Sequence, residues 1–417
     1  MTFTMPEKGR DWDSLSQEMT DRASVDVKWR DGKTAVYVFN GGEDVRDVAK
    51  QAYGAFMSEN GLGPAAFPSL KKMEEEVVSM GLNLLQAPSG AAGNLTSGGT
   101  DSITMAIKAA RDYRRSLNKL NGHVKLDGQG NLVIPWSAHP AFDKAASLMD
   151  LEIRRIPCRD LYADPQAMAQ AVDDNTVMMV GSAPCFPYGL IDPIAELGKV
   201  AAEKDVWLHV DACVGGYFAP FARMNGVDLP PFDFEVPEVL SMSADLHKYG
   251  YAAKGASTVF FRTEELREHM IFNVSDWPGG RMITPTLAGT RPGGAIAAAW
   301  AVMNYLGVEG YREKQGQVCD VRQYIQDGVQ EMGFQIVGDP KLGLMAFFHP
   351  EFDSFALLAQ MMKRGWITAV TTEPRSLHLM LSPFHAKVQD QYLADLKASM
   401  ADIIAGDDSS VKEARYS

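Results

Sequence analysis

The chain has 417 residues, 46% hydrophobic and 22% charged, the balance of an ordinary globular protein with room for two or three domains and a large core. Its net charge of -13 argues against nucleic acid, because phosphate binding calls for a basic surface. Residues 1–30 are polar and no run approaches about 18 consecutive apolar residues, so neither a signal peptide nor a membrane span is expected.

The first ~60 residues read as polar and irregular, apart from a helix over Glu43–Ser58. Strand-like apolar runs follow at Leu132–Trp136, Leu151–Ile156, Val177–Gly181 and Val206–Val210. Between them Ala141–Met149, Pro165–Val172 and Ile194–Glu203 carry helical periodicity. That alternation predicts an α/β fold with a mostly parallel sheet and helices on both faces. Val239–Met242 and Ser257–Phe261 add strands close enough in sequence to form an antiparallel pair. Beyond Pro285 the pattern predicts helices at Gly294–Tyr305 and Glu309–Met332. A smaller α+β unit then follows, with strands at Phe334–Val337, Leu344–Phe348 and Leu377–Leu381 and helices at Phe352–Lys363 and Val388–Ala405. The four cysteines, Cys158, Cys185, Cys213 and Cys319, are far apart and lack CxxC spacing. No metal site is expected from them, and they fit a reducing cytoplasm.

Four signals carry chemistry. In Ser243-Ala244-Asp245-Leu246-His247-Lys248-Tyr249-Gly250 a lysine follows an apolar run. Lys248 is either a desolvated amine that forms an imine with an aldehyde such as pyridoxal phosphate, or a strand-end lysine that snorkels to water. Thr96-Ser97-Gly98-Gly99-Thr100-Asp101 precedes a helical run and reads as a phosphate cradle, or as a plain turn capped by Thr100. Its spacing is not that of a nucleotide triphosphate loop. His209-Val210-Asp211-Ala212-Cys213 ends a buried strand. There Asp211 either pairs with a protonated pyridine nitrogen above the small Ala212, or caps the next segment. His139 follows another strand and either stacks on a ring or caps a helix. Cradle, ring stacker, ring carboxylate and imine lysine together describe one pyridoxal phosphate site.

These motifs resemble the group II decarboxylase superfamily of fold-type I pyridoxal phosphate enzymes, most closely the sphingosine-1-phosphate lyase branch. The resemblance rests on Phe67-Pro68-Ser69, the TSGGT run, Gly181-Ser182-Ala183-Pro184, HVDAC at His209–Cys213, SADLHKYGYAAKG at Ser243–Gly255, and Ala288-Gly289-Thr290-Arg291-Pro292-Gly293-Gly294. It implies a mostly parallel seven-stranded sheet with a smaller C-terminal α+β domain. The expected division is an N-terminal segment (1–60) touching a partner subunit, a large cofactor-binding domain (61–288) and a small domain (289–417). It also implies a cytoplasmic homodimer with shared active sites, without the membrane anchor of the eukaryotic relatives. Lys248 would carry the cofactor, Asp211 would meet its ring nitrogen and His139 its face. Gly99, Thr100 and His247 would hold the phosphate, with Gly289 and Thr290 supplied by the partner.

Tyr37 and Tyr249 are candidate bases, while Lys254, Tyr188 and Arg375 are candidate substrate contacts. The chain departs from the family where Leu62-Gly63-Pro64 replaces a Leu-His-Pro associated with the substrate phosphate. The expected reaction is retro-aldol cleavage of an amino alcohol phosphate or related β-hydroxy amine to an aldehyde and an amine. The alternatives are amino-acid decarboxylation and a non-catalytic cofactor-binding protein.

Overall fold

A computed structural model of the protein describes residues 2, 4–120 and 129–414. Seven strands form the large sheet: β1 (Ala92–Thr96), β2 (Asn131–Pro135), β3 (Glu152–Ile156), β4 (Thr176–Ser182), β5 (Trp207–Asp211), β6 (Val239–Ala244) and β7 (Ser257–Phe261). Their order is β1-β7-β6-β5-β4-β2-β3. Strands β2 to β6 are mutually parallel, and β7 runs antiparallel to both β6 and β1. Every residue of β2, β4, β5 and β7 is buried, because helices cover both faces. That is why these strands read as continuous apolar runs rather than alternating ones. Each fully buried aliphatic side chain, such as Leu208 or Val210, contributes about 1.5–3 kcal/mol.

The topology gathers the site. Chain order reverses between β2 and β4, with β3 outside them, so the loops diverge at their carboxyl ends. Two successive antiparallel pairings, β6 to β7 and β7 to β1, return β1 to the direction of β6. Thr96, His139, Ser182, Asp211 and Lys248 therefore all follow or end strands at the same edge of the sheet. The expected pairing of β6 with β7 is present. Strand β1 has no counterpart among the predicted elements, nor do the helices Trp12–Arg22 and Pro68–Leu84.

A short hairpin, β8 (Phe272–Val274) and β9 (Met282–Thr284), leads to one long helix, Gly293–Glu331. At Gly307, with φ 56° and ψ -173°, that helix is broken into the two pieces the sequence pattern predicts. The small sheet is antiparallel, in the order β10 (Gln335–Ile336), β11 (Leu344–Phe348), β13 (Arg375–Met380), β12 (Ala369–Thr372). The N-terminal segment is tied to it within the same chain. Ala35 N–H donates to the Ile367 carbonyl and Met380 N–H to the Ala35 carbonyl, both at 2.8 Å.

Candidate active site

A cleft of about 240 Å³ at the sheet's carboxyl edge is lined by Gly99, His139, Ser182, Asp211, His247 and Lys248, among others. Larger grooves exist elsewhere, but this one gathers titratable groups of both signs. Lys248 lies in the turn after β6, and its ammonium is 3.1 Å from Asp245 Oδ2. His247 Nε2 approaches the same oxygen at 3.7 Å. Burial alone would raise the Asp245 carboxyl, yet the charges of Lys248 and His247 outweigh it and hold it below the ordinary carboxylate range. Asp245 is thus a buried anion that anchors the lysine. Its i, i+3 spacing to Lys248 is visible in the sequence.

The helix Gly99–Leu120 begins at the cleft, so the amides of its first turn have no intrahelical acceptor. Its start is anchored by Ser102 Oγ, 2.6 Å from Thr96 Oγ1 and 2.8 Å from Ser257 Oγ. Asp101 Oδ2 accepts the Ser97 N–H at 2.9 Å. Thr100 lies inside the first turn rather than at the cap expected of it, and it lines the cleft. A Cβ on Gly99 would lie 2.9 Å from Cys213 Sγ and 3.0 Å from Asp245 Oδ2. Glycine is what brings this backbone so close.

At the end of β5, Asp211 Oδ1 accepts the Cys213 N–H at 3.0 Å and the Ser243 hydroxyl at 3.3 Å. The neighbouring Ala212 is fully buried, and Cys213 and Val214 line the cleft in its place. His139 Nδ1 accepts the Ala141 N–H at 3.1 Å, which puts its own proton on Nε2 when the ring is neutral. Burial lowers the imidazoles of His139 and His247, although Asp211 and Asp245 respectively oppose it. His139 thus lines the cleft while bonding into the helix start.

Other candidates fall elsewhere. Tyr249 is fully buried, stacked on Phe218 at 4.7 Å, and its hydroxyl donates to the Leu381 carbonyl at 2.7 Å. It does not line this cleft. Burial raises its phenol well above the usual value, so the expectation that it acts as a base is corrected. Tyr188 is buried likewise, donating to the Glu373 carbonyl at 2.6 Å, and burial pushes it up to about 12. Arg375 lies on the surface with its side chain 56% exposed. It pairs with Asp353 at 3.3 Å and packs over Phe355, so it does not reach this cleft.

Lys254 is nearer. Its ammonium donates to the carbonyls of Tyr37 (3.1 Å) and His247 (3.4 Å) and lies over the Phe39 ring. The side chain reaches solvent, but its packed surroundings and then the charge of Lys248 lower it to about 8. Tyr37 is half exposed, with φ 63°, a strained conformation for a bulky residue. Gly289 and Thr290 sit on a different face, where Thr290 Oγ1 accepts from Asn60 Nδ2 at 3.3 Å.

The cleft fits pyridoxal phosphate. Ser182 Oγ, Asp245 Oδ1 and His247 Nδ1 are buried around it without protein hydrogen-bond partners. Such atoms await a ligand with donors and acceptors. A lysine for the aldehyde, a carboxylate for the ring nitrogen, and a glycine-opened helix start for the phosphate complete the set.

Comparison with known proteins agrees. Residues 1–349 match the model of the pyridoxal-dependent decarboxylase conserved domain. A sphingosine-1-phosphate lyase from Oryza sativa subsp. japonica is 40% identical, over 90% of this chain and 70% of the relative. A solved sphingosine-1-phosphate lyase from Burkholderia pseudomallei superposes with a TM-score of 0.90 at 35% identity, covering 96% of this chain and 93% of that one. A probable L-tyrosine/L-aspartate decarboxylase from Methanothermobacter thermautotrophicus is 33% identical, over 81% of this chain and 89% of the relative.

The protein is therefore a pyridoxal phosphate-dependent lyase of fold type I. Within the pyridoxal-dependent decarboxylase family, the chain belongs to the sphingosine-1-phosphate lyases.

Proposed function

We propose that the protein cleaves the Cα–Cβ bond of a phosphorylated β-hydroxy amine of the sphingoid kind, giving an aldehyde and an amine phosphate. The observation that carries this reading is Lys254. It is a second cation beside the cleft, six residues beyond Lys248, and its described partners are carbonyl oxygens rather than carboxylates. A cation held this way is available to a phosphate monoester. Bound pyridoxal phosphate supplies a sink for the electrons left on Cα.

Around it, Lys248 would hold the cofactor's aldehyde and, as a free amine, would serve as a base within reach of the substrate. Asp211 would pair with the ring nitrogen, and His139 would cover the ring and exclude water. The β-hydroxyl proton leaves to Lys248 or Tyr37, the Cα–Cβ bond breaks, Cβ departs as the aldehyde, and Cα takes a proton back. Tyr249 takes no part.

The functional unit in this reading is a homodimer in the cytoplasm. Trp277, Ile283 and Leu287 are exposed on the segment that leads to Gly289 and Thr290. A second copy would cover these side chains and receive those two residues beside its own phosphate cradle. Free thiols at all four cysteines suit a reducing compartment.

Amino-acid decarboxylation on the same apparatus is the competing reading, and the archaeal relative favours it. It has lost one support, since Arg375 is spent on Asp353. The deciding experiment incubates the holoenzyme with a phosphorylated sphingoid base and, separately, with a panel of L-amino acids. Aldehyde without carbon dioxide is expected. Carbon dioxide from an amino acid, with no aldehyde from the phosphorylated base, would overturn the proposal.

A further inference from the structure

Behind Asp211, along β5 and β6, lies a row of polar side chains that the reaction does not use directly. His209 on β5 and Ser241 and Ser243 on β6 are all completely buried. Such groups are costly unless paired, and here they pair with one another in line. Trp207 Nε1 is 2.7 Å from Ser241 Oγ, and Ser241 Oγ is 2.8 Å from His209 Nδ1. His209 Nε2 is 3.3 Å from Ser243 Oγ, which is 3.3 Å from Asp211 Oδ1. Alternation in the strands puts residues 207, 209 and 211 of β5 on one face, and the same face of β6 carries residues 241 and 243. The register aligns them, with His209 opposite Ser241 and Asp211 opposite Ser243.

The proton order in this row follows from its carboxylate end. An ionised carboxylate only accepts, so the Ser243 hydroxyl donates to Asp211. Ser243 Oγ must then receive a proton from His209, which fixes the imidazole hydrogen on Nε2. Burial lowers His209 to about 4, so the ring is neutral and its Nδ1 is bare. Nδ1 accepts from the Ser241 hydroxyl, and Ser241 accepts from the Trp207 N–H, which can only donate. Every polar atom in the row is satisfied in one direction alone. The Cys213 thiol, 3.3 Å from Ser243 Oγ, occupies that oxygen's second lone pair.

We propose that Trp207, Ser241, His209 and Ser243 form a one-way hydrogen-bond relay that fixes the Asp211 carboxylate in orientation for the cofactor's ring nitrogen, making His209 and Ser243 positioning residues for the lyase reaction. The proposal rests on the reading of Asp211 as the partner of that nitrogen. Two neutral donors, the Cys213 N–H and the Ser243 hydroxyl, converge on Oδ1 and fix the carboxylate's orientation, and aligned donors polarise one another in a dry interior. A carboxylate held in that orientation would favour the protonated pyridine nitrogen.

The test reconstitutes the protein with pyridoxal phosphate labelled with ¹⁵N in the ring and reads the nitrogen's chemical shift. Cofactor affinity and the urea stability of the cofactor-free protein are measured beside it. In the wild type the shift should report a protonated ring. Ser243→Ala should move it toward the unprotonated value and weaken cofactor affinity about tenfold, because it removes a hydrogen bond to a charged group. Ser243→Thr, which keeps the hydroxyl, should restore the wild-type shift. Ser241→Ala serves as a second variant one link further out, and a smaller movement in the same direction is expected.

An unprotonated ring in the wild type would overturn the reading of Asp211 itself. A protonated ring that stays protonated in Ser243→Ala and Ser241→Ala, with only cofactor-free stability reduced, would overturn the relay and leave Asp211 in its role.

Discussion

Adding one methyl group at Gly99 should cripple the cofactor site while leaving its chemical groups in place. Gly99 is not among the residues with left-handed φ, so the cost of Gly99→Ala is space alone. The new Cβ would meet Cys213 Sγ at 2.9 Å and the two Asp245 oxygens at 3.0 and 3.1 Å, all well inside normal contact. Both neighbours are buried, so relief requires moving either the helix start or the carboxylate that anchors Lys248. Overpacking of this kind costs about 1–3 kcal/mol, equivalent to about 5- to 150-fold in pyridoxal phosphate affinity if the strain is felt in the bound state. Spectroscopic titration of the cofactor-free variant with pyridoxal phosphate measures this directly. Cys213→Ala in the same chain removes the tightest contact and should recover part of the loss. Wild-type cofactor affinity in Gly99→Ala would refute the claim that this backbone forms the cradle.

Three further outcomes follow from the geometry. Tyr249→Phe strands the Leu381 carbonyl and should cost about 1–3 kcal/mol in urea unfolding while kcat stays within about twofold, whereas a large kcat loss would restore Tyr249 as a base. Lys254 loses its charge above pH about 8, so KM for a phosphorylated substrate should rise between pH 7 and 9, and Lys254→Met should have a high KM that is flat with pH. Asp192 accepts the N–H groups of Ala163 and Ser182 at 2.8 and 2.7 Å, so Asp192→Ala should lose about 2–4 kcal/mol. Burial raises Asp192 to about 6, above its unfolded value. The folded state therefore holds a proton there that the unfolded state releases, and wild-type stability should gain from this group as pH falls from 7.5 to 5. Urea titrations at the two pH values should show that increment missing in Asp192→Ala.

The parallel strands were legible because burial on both faces writes itself as unbroken apolar runs, as in Val177–Val180. Strand β1 was not, because Ala92-Gly93-Asn94-Leu95-Thr96 has little β propensity. It is a strand because of what lies beside it. A Cβ on Gly93 would sit 2.7 Å from Phe260, so the glycine is needed for the pairing with β7. The helix Pro68–Leu84 did carry a signal, with Leu70, Glu74, Val77, Val78 and Gly81 forming one buried face. Trp12–Arg22 buries nothing and shows no such stripe.

The site's polar residues were legible where they end strands, since topology collects strand ends. The errors came from treating sequence neighbours as spatial neighbours. Tyr249 follows Lys248 yet does not line the cleft. The relay behind Asp211 was hidden because the alternation of serines in β6 acquires meaning only when His209 lies opposite.

The central claim is that Lys248 carries the cofactor, and Lys254 provides a built-in control six residues away. Borohydride reduction of the holoenzyme, proteolysis and peptide mass mapping locate the lysine to which the cofactor becomes fixed. The account predicts a single pyridoxyl group on Lys248, lost in Lys248→Ala. A pyridoxyl group on Lys254, or none on the wild-type protein saturated with pyridoxal phosphate, would contradict it.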